Sequence, residues 1–228
     1  MKILLSEEKF KKIFEAKKEG FRLDCLISAK SFAERVRYCK NMLGFPIGNG
    51  SSRMVFQIDD ETCLKLAKNK KGIAQNKEEI RIASDNFISY IPKVFNGSDE
   101  ENGLWIITQY VIPAKPQDFE ELLGISFENI KSFCDSTDRR FNYNNSEASI
   151  KQADAIVNQL YEVYEDNDLV TELFRNIEEL RGSYDQFVGD LARIQNWGMV
   201  RENGNTFLVM LDTGFSEDVC NQYYRRKW

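Results

Sequence analysis

The sequence predicts an α+β protein in which a β-rich lobe precedes a mainly helical one. Three observations carry this. Strand-patterned segments gather between residues 54 and 112, helical stripes fill residues 116 to 181, and one late hairpin signal follows them. An alternating α/β sheet would interleave the two patterns along the chain. The length of 228 residues allows one large domain or two small ones, with a substantial core.

Taken in order, residues 7 to 19 place Phe10, Ile13 and Phe14 at helical spacing, with Ser6 as N-cap and Gly20 as stop. A second helix is predicted from about Ala29 to Leu43, its apolar stripe formed by Phe32, Val36, Cys39 and Leu43, with Gly44 after it. The period then changes. Residues 54–58 and 62–66 read as strands joined by the acidic turn Asp59-Asp60-Glu61, and a polar helix follows from about Ile73 to Ile88. Strands at 93–95 and 104–112 come next. Helical patterns then cover 117–123, 127–134, 148–164 and 169–180. Residues 198–200 and 207–211 flank Glu202-Asn203-Gly204-Asn205, whose Asn-Gly step is a hairpin turn signal.

Composition removes several chemistries. There is no histidine, so Ser-His-Asp and Cys-His nucleophiles, histidine-ligated zinc and imidazole proton transfer are excluded. With 31 Lys+Arg against 36 Asp+Glu, the net charge of -5 argues against a broad nucleic-acid surface. Cys25, Cys39, Cys63, Cys134 and Cys220 are odd in number and form no Cys-x-x-Cys pair, so neither a disulfide framework nor a thiolate metal site is expected. No apolar run approaches the ~18 residues that span a bilayer, and the N-terminal segment lacks a signal core. A protein of the reducing cytoplasm, with no membrane partner, is the expectation.

Four segments carry chemistry. Gly48-Asn49-Gly50-Ser51-Ser52-Arg53-Met54-Val55 fits a Gly-x-Gly-x-x-Gly-x-Val loop in which backbone N–H groups approach phosphates, with Arg53 in place of the third glycine. Alone, a glycine pair before a strand is more often a plain turn. Lys65 stands inside the apolar strand Thr62-Cys63-Leu64-Lys65-Leu66-Ala67 and shares a face with Cys63 and Ala67. Such a lysine calls for an anion: phosphate on one side, and on the other a carboxylate from Glu79 or Glu78. The bland alternatives are an edge-strand lysine or a snorkelling one, the reading given to Lys68, Lys70 and Lys71. In the third segment, Gly189-Asp190-Leu191-Ala192-Arg193-Ile194-Gln195-Asn196-Trp197-Gly198, an Asp precedes a loop with two amides and then a strand. In the fourth, the apolar strand Leu208 to Leu211 ends in Asp212-Thr213-Gly214, which presents a carboxylate as a metal ligand would be presented. Either of the last two is, by itself, also a capped turn.

In this order the four segments resemble the protein-kinase-like superfamily, with features of the aminoglycoside-phosphotransferase type, and Asp-Leu-x-Arg-x-x-Asn-Trp-Gly with Leu-Asp-x-Gly is similar to small kinase-like proteins of bacteriophages and bacteria. The resemblance spans about Ile47 to Glu217. It implies a two-lobed kinase-like fold with an N-terminal helical extension (1–44), an N-lobe (45–112) and a reduced C-lobe (113–228). It implies ATP and Mg2+ as cofactors. Gly48, Gly50 and Ser51 would cover the phosphates, Lys65 would contact the α and β phosphates, and Glu79, or Glu78, would orient Lys65. Thr108 would back the adenine pocket, and the backbone of Gln109 and Val111 would read the adenine edge. Asp190 would accept the acceptor's proton, and Asp212 with Asn196 would hold the metal.

The chain departs from the pattern in three places. The amide at the family's spacing from Asp190 is Gln195, with Asn196 one residue farther on, so either could ligate. Val188-Gly189 replaces the usual His-Arg, and Thr213 replaces the Phe of Asp-Phe-Gly. Few residues follow Gly214, so no activation segment or peptide-docking platform is expected, and Arg225-Arg226-Lys227 reads as a solvated tail or a docking one. Two functions follow. One is an ATP- and magnesium-dependent phosphotransferase acting on a small-molecule or protein hydroxyl, with nucleotidyl transfer as a variant. The other is a pseudokinase that binds nucleotide or a partner protein, within a phage particle or against a host factor, in the host cytoplasm or the virion.

Overall fold

The computed structural model describes residues 20–85, 87–97, 103–142, 144–202 and 204–224. The helix expected over residues 7–19 and the basic residues 225–227 lie outside these. The chain forms two compact units: Met1–Asn86 with Lys93–Tyr110, and Phe87–Pro92 with Val111–Trp228. Both are mixed helix and antiparallel sheet, an α+β architecture.

In the first unit, helices α1 (Leu23–Ser28) and α2 (Phe32–Leu43) precede strands β1 (Gly48–Asn49), β2 (Arg53–Gln57) and β3 (Thr62–Ala67). Helix α3 (Lys70–Ser84), β4 (Val94–Gly97) and β5 (Trp105–Gln109) follow, and the sheet order is β1-β2-β3-β5-β4. Val55 pairs with Lys65 and Lys65 with Ile106. The period of two therefore sorts the sheet's faces. Met54, Phe56, Ile58, Leu64, Leu66, Trp105 and Ile107 join Phe21, Leu26, Cys39 and Leu43 in one apolar cluster, so residues 21–43 help build this unit's core. The alternate positions, among them Arg53, Lys65 and Thr108, are left for the other face, and α3 packs along β3, β4 and β5.

Three expectations need correction. The helix expected from Ala29 begins at Phe32, because Ser31 and Glu34 form a capping box, and residues 23–28 make a separate short helix. The helix expected at 73–88 is Lys70–Ser84, because the Asn69 side chain accepts the N–H groups of Lys71 and Gly72 at 3.0 and 3.2 Å and starts it early. The single apolar strand expected over 104–112 is two. β5 ends at Gln109, the Tyr110 N–H turns to the Glu61 carbonyl at 2.7 Å, and β6 (Ile112–Pro113) pairs in a different sheet. Hydrophobic residues continue on both sides of Thr108-Gln109 while the hydrogen-bond partner changes, and the apolar pattern reads across the break.

In the second unit, α4 (Pro116–Leu123), α5 (Phe127–Arg140), α6 (Glu147–Val163) and α7 (Asp168–Gly182) are capped by Ser126, Ser146 and Asn167 at the starts of the last three. Their buried faces meet through Ile130, Phe133, Leu173 and Phe174, and the Phe133 and Phe174 rings stack at 3.8 Å. Strands β7 (Trp197–Glu202) and β8 (Asn205–Met210) complete the β6-β7-β8 sheet. Their hairpin turns where expected, between Glu202 and Asn205, with Gly204 at φ +83°. A last helix, α8 (Glu217–Tyr223), was not signalled by any long stripe. Among the described residues, no helix is long and apolar enough to cross a membrane.

Candidate functional site

The sequence-predicted residues fall into two groups, one on each unit. In the first unit, β3 carries Lys65 and α3 carries Glu79, and their side chains meet at 2.6 Å. Lys65 is 11% exposed and Glu79 5%, so the carboxylate is buried and the ammonium nearly so. Glu78, the alternative partner, instead faces Arg81. A second cation shares Glu79: Arg53 donates to its other oxygen at 2.5 Å and to Asn76 Oδ1 at 3.4 Å. Burial pushes the Glu79 carboxyl up, but the charges of Arg53 and Lys65 and their hydrogen bonds outweigh it and hold the group below its ordinary value. Glu79 is thus an ionised bridge between two strand residues. Sequence reasoning noted Arg53 at the third-glycine position but missed it as a member of this group.

Gly48 and Asn49 form β1, Gly50, Ser51 and Ser52 turn the chain into β2, and the Gly50 N–H donates to the Arg53 carbonyl at 3.0 Å. Lys68 is not the solvated lysine it was expected to be. Its ammonium donates to Asn49 Oδ1 at 3.0 Å and to the Gly50 carbonyl at 2.8 Å. Thr108 is buried on β5, in contact with the Cys63 sulfur at 3.2 Å. Gln109 closes that strand with its N–H on the Lys93 carbonyl at 2.9 Å, and the Cys63 thiol reaches its carbonyl at 3.7 Å. Val111 lies just beyond, half-buried, at the start of the second unit.

In the second unit, Asp190 sits in a 3-10 turn over Val188–Ala192, followed by another over Ile194–Asn196. These tight turns bring the more distant amide back. Asn196 Nδ2 donates to the Asp190 carbonyl at 2.8 Å, and the Asn196 carbonyl accepts the Leu211 N–H at 2.9 Å. Asn196 therefore links the Asp190 loop to the residue preceding Asp212, whereas the Gln195 side chain is exposed. Burial raises the Asp190 carboxyl above its ordinary value; Arg193, at 3.6 Å, lowers it and the charge of Asp212 raises it further. Trp197 is fully buried, donates its indole N–H to the Leu191 carbonyl at 2.6 Å and meets Phe119 edge to face. Gly198 is required by crowding: a Cβ there would lie 2.2 Å from Val111 Cγ1 and 2.9 Å from the Ile112 carbonyl.

Two supports of this loop escaped the sequence. Asp138 on α5 accepts the Gly189 N–H, and a Cβ at Gly189 would approach its Oδ2 to 3.0 Å. Asp138 is in turn paired with Arg181, 5% exposed on α7, which also holds Glu217 of α8 at 2.6 Å. Beyond Gly214 the chain folds back, with Phe187 N–H on the Phe215 carbonyl at 3.2 Å and a bridge between Gln186 and Ser216. None of these pairs has a sequence spacing that could announce it.

The buried cysteines offer no rival chemistry. All five are free thiols, and burial pushes Cys63 and Cys134 up and Cys39 to about 12, far from a thiolate nucleophile. No group of three or more Cys, Asp or Glu side chains poised to hold a metal occurs among the described residues.

A comparison with models of known protein families finds no match, and a comparison with curated proteins finds none either. Among solved structures, the streptomycin-ATP-APH(2")-IIa ternary complex is similar at 16% identity and a TM-score of 0.35, over 82% of this chain and 71% of that one.

Proposed function

We propose that the chain is a kinase-like phosphotransferase that binds ATP with magnesium and passes the terminal phosphoryl group to a hydroxyl on a small molecule or a protein. On this reading residues 45–112 and 113–228 are the two lobes and residues 1–44 an extension. The observation that carries it is the buried Lys65–Glu79 pair beside the Gly48–Ser51 loop. A strand lysine oriented by a helical carboxylate presents its ammonium in one fixed direction, which suits a phosphate oxygen. The Gly48–Ser51 segment covers the phosphates, to which Ser51 turns its backbone N–H while the Gly50 N–H holds the Arg53 carbonyl, and the carbonyl of Gln109 and the N–H of Val111 meet the adenine edge.

The donor set of the second unit fits magnesium. Asp212 and Asn196 offer hard oxygen ligands, and Mg2+ needs only one or two protein donors when phosphates and water complete its shell. The Asn196 amide nitrogen is spent on the Asp190 carbonyl, so Oδ1 is the atom left to ligate. Held by Asp212 and Asn196, a magnesium ion would supply positive charge to the phosphates. Asp190 takes the acceptor's proton as its oxygen attacks the γ phosphorus, and the raised carboxyl pKa makes it the better base.

The test is a thermal shift with ATP and Mg2+ on the wild type and on Lys65→Ala and Asp212→Ala. A wild-type stabilisation lost in both variants is expected; no wild-type shift refutes nucleotide binding. Transfer of γ-labelled phosphate to candidate acceptors then separates a transferase from the pseudokinase, which would bind and not transfer.

A further inference from the structure

The glycine loop is fastened to the start of α3 by an array of hydrogen bonds. The Gly50 carbonyl accepts from Lys68 Nζ at 2.8 Å, the Ser51 carbonyl from Asn69 Nδ2 at 3.1 Å, and the Ser52 carbonyl from the Lys68 N–H at 2.8 Å. The Ser52 hydroxyl donates to Gln75 Oε1 inside the unit. Contact is so close that a Cβ on Gly72 would lie 2.2 Å from the Ser52 oxygen. Asn69 also caps α3 through its Oδ1, so one side chain serves helix and loop together.

This array has a directional consequence. In a trans peptide the C=O of one residue and the N–H of the next point in opposite directions, and no cis bond occurs among the described residues. With the Gly50 and Ser51 carbonyls drawn toward Lys68 and Asn69, the N–H groups of Ser51 and Ser52 are turned the other way. Successive N–H groups on one side of a turn make a concave anion site. We infer that Lys68 and Asn69 are positioning residues that set the peptide orientation of the loop, so that the Ser51 and Ser52 N–H groups are held ready for a phosphate oxygen before any nucleotide arrives. This rests on the nucleotide-binding reading above.

Three measurements on the full chain test it: affinity for ATP, affinity for adenosine, which keeps the base and lacks the phosphates, and hydrogen exchange of the 48–53 segment without nucleotide. For Lys68→Met, ATP binding should weaken about tenfold, the loss of one charge-assisted hydrogen-bonded tie. Adenosine binding should be unchanged and exchange in the nucleotide-free loop should quicken. Lys68→Arg, which keeps a cationic donor, should restore both, and Asn69→Ala should reproduce the Met variant's pattern. Equal loss for ATP and adenosine, or none for either, overturns the inference. Weakened ATP binding with unaltered loop exchange also overturns it, because Lys68 would then touch the ligand directly. A wild type that binds no ATP removes the functional reading itself, which is seen before any variant is made.

Discussion

Replacing Glu79 by Gln is the most searching perturbation of the N-terminal unit. Its carboxylate is 5% exposed and lies 2.5 Å from Arg53 and 2.6 Å from Lys65, each 11% exposed. The amide keeps the shape but leaves two largely buried cations facing a neutral group. Breaking a buried pair in this way costs about 3–5 kcal/mol, a large share of the ~5–15 kcal/mol that holds a typical protein folded. Lys65→Met or Arg53→Met should each cost less, about 1–3 kcal/mol, because Glu79 retains one partner. The double variant should exceed the sum of the singles, since only then is the carboxylate orphaned. The sign with pH follows from the lowered Glu79 pKa: its stabilisation is fully present above the unfolded value of 4.5 and is lost as pH falls through the depressed folded value. The Gln penalty should therefore be full at neutral pH and shrink well below 4.5. Urea melts followed by far-UV circular dichroism at both pH values give the numbers. A Gln penalty under about 1 kcal/mol at neutral pH, the yield of an exposed pair, would refute the argument, as would strict additivity of the Lys65 and Arg53 variants.

Further outcomes are expected for Asp190, Gly198 and Gly44. Asp190→Asn should raise the melting temperature at neutral pH, because burial and Asp212 make the ionised form costly in the folded state; the gain should fade as pH drops below 3.8, where the wild-type carboxyl is protonated whether folded or not. Transfer activity should be lost in the same variant. Gly198→Ala should cost about 1–3 kcal/mol in urea melts, because its Cβ would strike Val111 Cγ1 at 2.2 Å, whereas Gly44→Ala, which meets nothing within 4 Å, should show only the strain of φ +87°.

Much of the first unit's chemistry was legible because it breaks a local rule. A lysine inside an apolar strand and glutamates on the following helix conflict with burial, and the conflict is resolved by pairing. Arg53 obeys no such rule: at a strand's first position a charged side chain is ordinary, and only the fold brings α3 beside it. Lys68 was misread for the same reason, since a run with Lys70 and Lys71 looks solvated until the loop carbonyls lie within its reach. In the second unit the Asp190-to-Asn196 spacing looked irregular because a one-dimensional count cannot see two consecutive 3-10 turns, which tighten the path between them. The Asp138–Arg181–Glu217 network joins three helices far apart in sequence, and nothing local distinguishes its members from surface charges.

The double duty of Asn69 limits how the chain can vary. Asp is as good a helix cap as Asn, yet an ionised Asp has acceptors alone and nothing to offer the Ser51 carbonyl. An exchange that a search for stability would score as neutral at the helix therefore lets go of the loop. On the proposed reading, a library sorted only for robustness would accept Asn69→Asp and with it weaken phosphate binding, without any visible change of fold.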